Sequence, residues 1–165
     1  MISLGHLNVL RKLHARLALT GINWAVTGSL GFALQGVPVE PRDIDIQSDA
    51  SGVYEIQRLF SAFVLRPVAL SSKHNIRSHF GALLVDGIEV ELMGDIQKAD
   101  ADGTWGQATD LNRHKRFVEV GGVRIPVLSL EYEEQAYRKL GRIEKADLLK
   151  RWLQAQQATS ASPTE

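Results

Sequence analysis

Residues 24–47 read WAVTGSLGFALQGVPVEPRDIDIQ, and the order of apolar, glycine-rich and acidic segments in them decides the fold. Trp24-Ala25-Val26-Thr27 is a short apolar run suited to a buried strand, and Gly28-Ser29 breaks it. Leu30 to Gln35 then predicts a short helix with Ser29 near its N-cap, where a hydroxyl can accept from an open backbone N–H. Gly36, Pro38 and Pro41 end that helix and force an extended connection. Asp43-Ile44-Asp45-Ile46-Gln47 alternates charge with aliphatic character, which predicts a second strand carrying both aspartates on one face.

Working outward, leucines at 4, 7, 10, 13 and 17 recur at helical spacing before Gly21, so Ser3 to Thr20 should be an amphipathic helix. Ser51 to Phe63 should be another, with Val53, Ile56, Leu59, Phe60 and Phe63 covering the apolar face of the aspartate strand. Phe80 to Val85 and Ile88 to Met93 flank Asp86-Gly87, a pair that readily takes the positive φ of a two-residue hairpin. Arg116 to Val120 and Val123 to Val127 flank Gly121-Gly122 in the same way, whereas residues 95–115 give no assignable pattern. Leu130 to Gln157 reads as one helix or two broken near Gly141, and 154–165, rich in Gln, Ala, Ser and Thr, as a frayed tail. The expectation is an α/β (α+β) domain over 1–153, a small mixed sheet packed against helices, with no repeat and no second domain.

Composition excludes little more than extremes. The chain has 165 residues, 44% hydrophobic and 23% charged, as an ordinary globular domain does. Lys plus Arg and Asp plus Glu both number 19, so no net field draws it to nucleic acid. Zero cysteines exclude disulfides and thiolate zinc sites, and His6, His14 and His114 have no zinc-like spacing. Arg11, Lys12 and Arg16 interrupt the first apolar pattern, so neither a signal peptide nor a membrane helix is expected there, and the expected location is the cytoplasm.

The chemistry-bearing residues lie in the opening stretch and one hairpin. Aspartates at i and i+2 on a strand set Cα atoms about 6.6 Å apart on one face. Such carboxylates repel unless a cation lies between them, and magnesium takes carboxylate and phosphate oxygens. Gly28-Ser29 follows the preceding strand at a helix start, where backbone N–H groups and the helix dipole attract phosphate, and Ser29 adds a hydroxyl. In Ile88-Glu89-Val90-Glu91-Leu92-Met93, Glu89 and Glu91 share one strand face, and periodicity does not choose between them as a third acid. Lys73, His74, Arg77 and His79 read as a solvated loop cluster, and Trp24, Trp105 and Trp152 as core or rim residues.

Taken together, residues 24–29, Arg42-Asp43-Ile44-Asp45-Ile46 and Val90-Glu91-Leu92 resemble the nucleotidyltransferase fold of DNA polymerase beta, in particular its minimal and antibiotic-type members and their toxin-antitoxin relatives. The resemblance covers most of residues 22–94. It implies that Gly28 and Ser29 hold a nucleoside triphosphate, that Asp43, Asp45 and Glu91 hold magnesium, or manganese in its place, and that a nucleotide passes to an acceptor hydroxyl with release of pyrophosphate. It prefers Glu91 to Glu89, although the usual residue is aspartate and glutamate is longer by one methylene. A C-terminal resemblance around Tyr137 to Asp147 implies that Lys139 reaches the triphosphate, with Arg142 assisting. The acceptor, a small molecule, protein or RNA end, is not readable, and a homodimer or helical partner is expected to complete its site. A binding module or antitoxin built on the same fold, and an unrelated metal-binding or structural domain, are the competing readings.

Overall fold

The computed structural model describes residues 1–161, which form two compact units, one spanning Met1–Leu128 and one beginning at Ser129. The first contains α1 (Leu4–Leu17), β1 (Trp24–Thr27), α2 (Gly28–Leu34), β2 (Ile44–Ser48), α3 (Ala50–Leu59), β3 (Val64–Lys73), β4 (Ile76–Val85), β5 (Ile88–Lys98), α4 (Leu111–His114), β6 (Lys115–Val120) and β7 (Val123–Leu128). Seven strands form one mixed sheet in the order β3-β4-β5-β2-β1-β7-β6. The β1–β2 pair is antiparallel, and β2–β5 and β1–β7 are parallel, so the mixed sheet with helices is as expected.

The helices start where the sequence supplies a cap. Ser3 accepts from the His6 N–H to open α1, and Asp49 accepts from the Gly52 N–H at 2.7 Å to open α3. α3 ends at Leu59, shorter than expected, and a single 3-10 turn, Ser61–Phe63, takes its place. The hairpin at Asp86-Gly87 has both φ positive, 50° and 78°, and Gly121-Gly122 repeats the geometry at 55° and 83°. A third hairpin, joining β3 to β4, turns at His74-Asn75 with φ of 49° and 64°, where no glycine announces it. Within 95–115, β5 runs on to Lys98, Ala99 bridges Trp105, and α4 follows.

Alternation divides the sheet into two faces. Ile44, Ile46, Val90 and Leu92 are fully buried in one cluster with Val9, Leu10, Leu13 and Leu17 of α1 and Val53 and Ile56 of α3. Sliding β2 or β5 by one residue would turn its two aliphatics out of that cluster at about 2 kcal/mol each, a large share of a domain's net stability. The core therefore fixes the register, and the register fixes what the opposite face presents: Asp45 and Gln47 on β2, and Glu89, Glu91 and Met93 on β5.

The second unit holds α5 (Leu130–Lys139) and α6 (Ile143–Ser160). Gly141, at φ 77°, separates them, so the two-helix alternative holds. Arg138 of α5 joins them by an ion pair to Asp147 of α6 at 2.9 Å, and pairs within its own helix with Glu134 at 2.7 Å. α6 continues through 154–160, where a tail was expected, and residues 162–165 of that segment lie outside the described residues. Among the described residues no helix is long and apolar enough to cross a membrane.

Candidate active site

Asp45 sits in the middle of the sheet, paired in register with Thr27 of β1 on one side and with Glu91 of β5 on the other. Glu89 lies one pleat away, opposite Leu84 of β4, and faces Arg66 of β3 at 3.5 Å. The two glutamates that periodicity left equivalent thus have different neighbours: Glu91 has an aspartate, Glu89 an arginine. Asp43 departs from expectation, because β2 begins at Ile44 and Asp43 occupies the bend before it, exposed. Pairing with β1 ends at Thr27, opposite Asp45, and pairing with β5 begins one residue earlier, at Ile44 opposite Val90, so Asp43 lies outside both ladders.

That bend is held from a distance. The ring of His6, on α1, donates from Nε2 to the Arg42 carbonyl at 2.8 Å, and its Nδ1 accepts from the Ser3 hydroxyl at 2.6 Å. A carbonyl can only accept, so this pair of bonds sets the tautomer. Local sequence gives no sign of this contact, since its partner lies 36 positions away.

Gly28 explains the turn beside Asp45. Its φ is 68°, and a Cβ placed on it would collide with Oδ2 of Asp45. Glycine here meets two needs, a left-handed backbone and room for the carboxylate. Gly28 itself opens α2, so the N-cap falls on Thr27 rather than Ser29, and Thr27 makes no side-chain capping bond. Ser29 is half-buried in the first turn of α2.

Electrostatics at Glu91 report the crowding. Burial is the main cause that raises its carboxyl above the ordinary glutamate range; a hydrogen bond with Asp45 opposes it, Glu89 and Asp43 raise it further, and Arg66 lowers it. A carboxyl–carboxyl hydrogen bond needs a proton on one partner, and a divalent cation between the oxygens would replace that proton. Among the described residues no three such groups are already gathered to hold a metal ion. The donors nevertheless fit a hard divalent cation: all are carboxylate oxygens, two meet across one strand pair, and Asp43 lies two residues from the first. Lys139, in the last turn of α5, belongs to the second unit.

The family model described as aminoglycoside-2''-adenylyltransferase matches residues 9–150. This chain belongs to that family. The family places it in the nucleotidyltransferase superfamily, as residues 24–29, 42–46 and 90–92 imply. A solved protein assigned as a nucleotidyltransferase, from Thermotoga maritima, is 61% identical over 94% of this chain and 96% of its own, with a TM-score of 0.84. The lincosamide antibiotic adenylyltransferase LnuA, lincomycin-bound, is 15% identical over 88% of this chain and 97% of its own, TM-score 0.53. ANT(2'')-Ia, in complex with adenylyl-2''-tobramycin, is 12% identical over 93% and 92%, TM-score 0.57. At these identities the last two share the fold with this family member. No curated protein sequence matches the chain.

Proposed function

We propose that the chain transfers a nucleoside monophosphate, AMP from ATP, to a hydroxyl of a small-molecule acceptor, with magnesium or manganese held by Asp43, Asp45 and Glu91. The observation that carries this reading is the register that sets Asp45 opposite Glu91 beside the Gly28 turn. Adenylyl is preferred to other nucleotides because the matching family and LnuA are described as adenylyltransferases and ANT(2'')-Ia is in complex with adenylyl-2''-tobramycin.

The chain's own groups have distinct work. Gly28 and Ser29 offer backbone N–H groups and a hydroxyl to phosphate oxygens, and Lys139, on the family resemblance, adds a cation to the triphosphate. Asp45 and Asp43 orient the α-phosphate through the site they form. Glu91 faces the attacking oxygen and accepts its proton. A bound divalent cation would supply neutralisation of the phosphate charge and acidification of the hydroxyl. The triphosphate demand suits a cytoplasmic enzyme, and a homodimer or helical partner would complete an acceptor site.

The test is pyrophosphate release from α-labelled ATP with magnesium over a panel of hydroxylated acceptors. Wild type should turn over at least one, and Asp45→Asn should lose more than a hundredfold in rate while still folding. A chain that binds no ATP by calorimetry sinks the proposal. One that binds ATP but transfers it to nothing, alone or in extract, is instead the binding module or antitoxin.

A further inference from the structure

We propose that β6, the bare edge of the sheet, pairs antiparallel with β6 of a second copy of this chain, Phe117 against Phe117 and Lys115 against Glu119. The pairing asks nothing of the nucleotide site.

The two edges of the sheet are built differently. β3 ends it on one side with features that blunt an edge: Pro67 within the strand, register slips between Val64 and Ala69, and a Val68 N–H donated to Gln57 of α3 at 2.6 Å. β6 ends it on the other side with none of these. Its six residues contain no proline and pair with β7 in unbroken register, from Lys115 opposite Leu128 to Val120 opposite Val123. Phe117, in its middle, is 54% exposed. A regular, exposed edge is a template for one more strand.

The hairpin decides which backbone groups face outward. Its two-residue turn, Gly121-Gly122, closes on a hydrogen-bonded pair, Val120 with Val123, and bonded pairs then alternate back along the strand. Val118 therefore bonds Ile125, whereas Glu119 and Phe117 occupy non-bonded pairs. Pro126, which has no N–H to give, stands opposite Phe117 as such a position allows. The N–H and C=O of Phe117 and Glu119 thus point away from β7, and so does the C=O of Lys115, whose N–H goes to the Leu111 carbonyl.

A two-fold axis through Phe117, normal to the sheet, uses all of these groups. Residues opposite one another in an antiparallel pair point to the same face, so the axis must pass through a residue. Through Phe117 it sets the two phenylalanines together and each Lys115 opposite Glu119 of the second copy. Through Val118 it would set Phe117 against Glu119 and Lys115 against Gly121, losing both matches. Lys115, Phe117 and Glu119 share the face turned away from Val118 and Val120, which pack on the core. The ion pair also answers an unmet charge. The half-buried Lys115 ammonium bonds the neutral Asn23 amide oxygen, and burial lowers its pKa. Arg124, across from Glu119, lies over the Phe117 ring at 4.7 Å instead, and Glu119 stays exposed. A six-residue ladder is smaller than a standard interface, so the dimer should form at about 10–100 µM.

Sedimentation equilibrium of the full chain should show monomer passing to dimer across that range. Glu119→Lys sets lysine against lysine and should weaken association at least fivefold, as should Lys115→Glu. An equimolar mixture of the two variants should associate as wild type does, because every charge then meets its opposite. Circular dichroism establishes that each variant is folded. The chain has no cysteine, so single-cysteine variants give a second reading that does not need Lys115→Glu to fold. Phe117→Cys should cross-link to itself on oxidation, its Cα atoms lying about 5.5 Å apart in a bonded pair. Leu70→Cys, 64% exposed on the β3 edge, should not. A chain monomeric throughout overturns the pairing, as does a mixture no better than either variant alone, or equal cross-linking from both edges. ATP binding by calorimetry is read separately, so loss of the dimer leaves the nucleotide reading standing.

Discussion

Gly28 and Asp45 act as one device, because the backbone at 28 can approach the carboxylate only without a Cβ. Gly28→Ala adds a methyl at φ 68° against Oδ2 of Asp45, so it should destabilise the protein by about 1–2 kcal/mol. It should also weaken manganese and ATP binding more than tenfold by displacing the carboxylate, and thermal melts with calorimetric titrations read both effects. Glu91 makes a second, pH-dependent prediction. Its folded carboxyl titrates above its unfolded value, chiefly through burial, so the folded state binds the proton more tightly. The associated stability is fully present below the unfolded glutamate value and is lost as pH rises through the raised one. In EDTA, Glu91→Gln should therefore melt higher than wild type at neutral pH, with the gap closing as pH falls toward the ordinary glutamate range. Magnesium should raise the wild-type Tm at neutral pH and leave the variant's nearly unchanged; a gap that widens in acid would contradict the sign.

At the scale of elements, α1 does more than cover the sheet. His6 bonds the Arg42 carbonyl and so ties the bend that carries Asp43 to a helix whose other face holds Val9, Leu10 and Leu13 in the core. His6→Phe removes that tie without touching substrate. It should lower manganese affinity roughly tenfold, as loss of a supporting hydrogen bond does at metal sites, with under 1 kcal/mol lost in a urea melt. Asp45 and Gly28 were legible in the sequence from short-range pattern, alternation on β2 and a glycine at a strand end, whereas alternation on β5 offered Glu89 and Glu91 alike and only the family resemblance preferred Glu91. Asp43 was legible as a residue but not as lying outside the strand, since that depends on where the ladders to β1 and β5 stop. His6, Arg66 and the His74-Asn75 hairpin were not legible, for a common physical reason. The first two act on partners 36 and 23 positions away, and the turn adopts left-handed φ with residues that do so less readily than glycine. The β3 strand was missed likewise, because its register slips at Arg66 break the alternation by which a strand is recognised.

For the whole molecule, the division of labour between the two units is itself testable. Met1–Leu128 contains all seven strands, every residue of the main hydrophobic cluster, and Gly28, Ser29, Asp43, Asp45 and Glu91. The unit beginning at Ser129 contributes α5 and α6, joined by the ion pair of Arg138 with Asp147, and carries Lys139. Folding energy of a domain comes mainly from its own apolar core, and every strand of the seven-stranded sheet lies before Ser129. A chain ending at Leu128 should therefore fold cooperatively and bind manganese within about fivefold of the full chain, since the carboxylates and the turn beside them are all retained. If Lys139 binds the triphosphate as proposed, the truncated chain's affinity for ATP should fall further than its affinity for the cation. Calorimetry with manganese and then ATP on both chains separates these effects, with circular dichroism melts to establish folding. Equal loss of both affinities in a folded truncated chain would mean that the second unit shapes the carboxylate site; unchanged ATP affinity would remove Lys139 from the triphosphate.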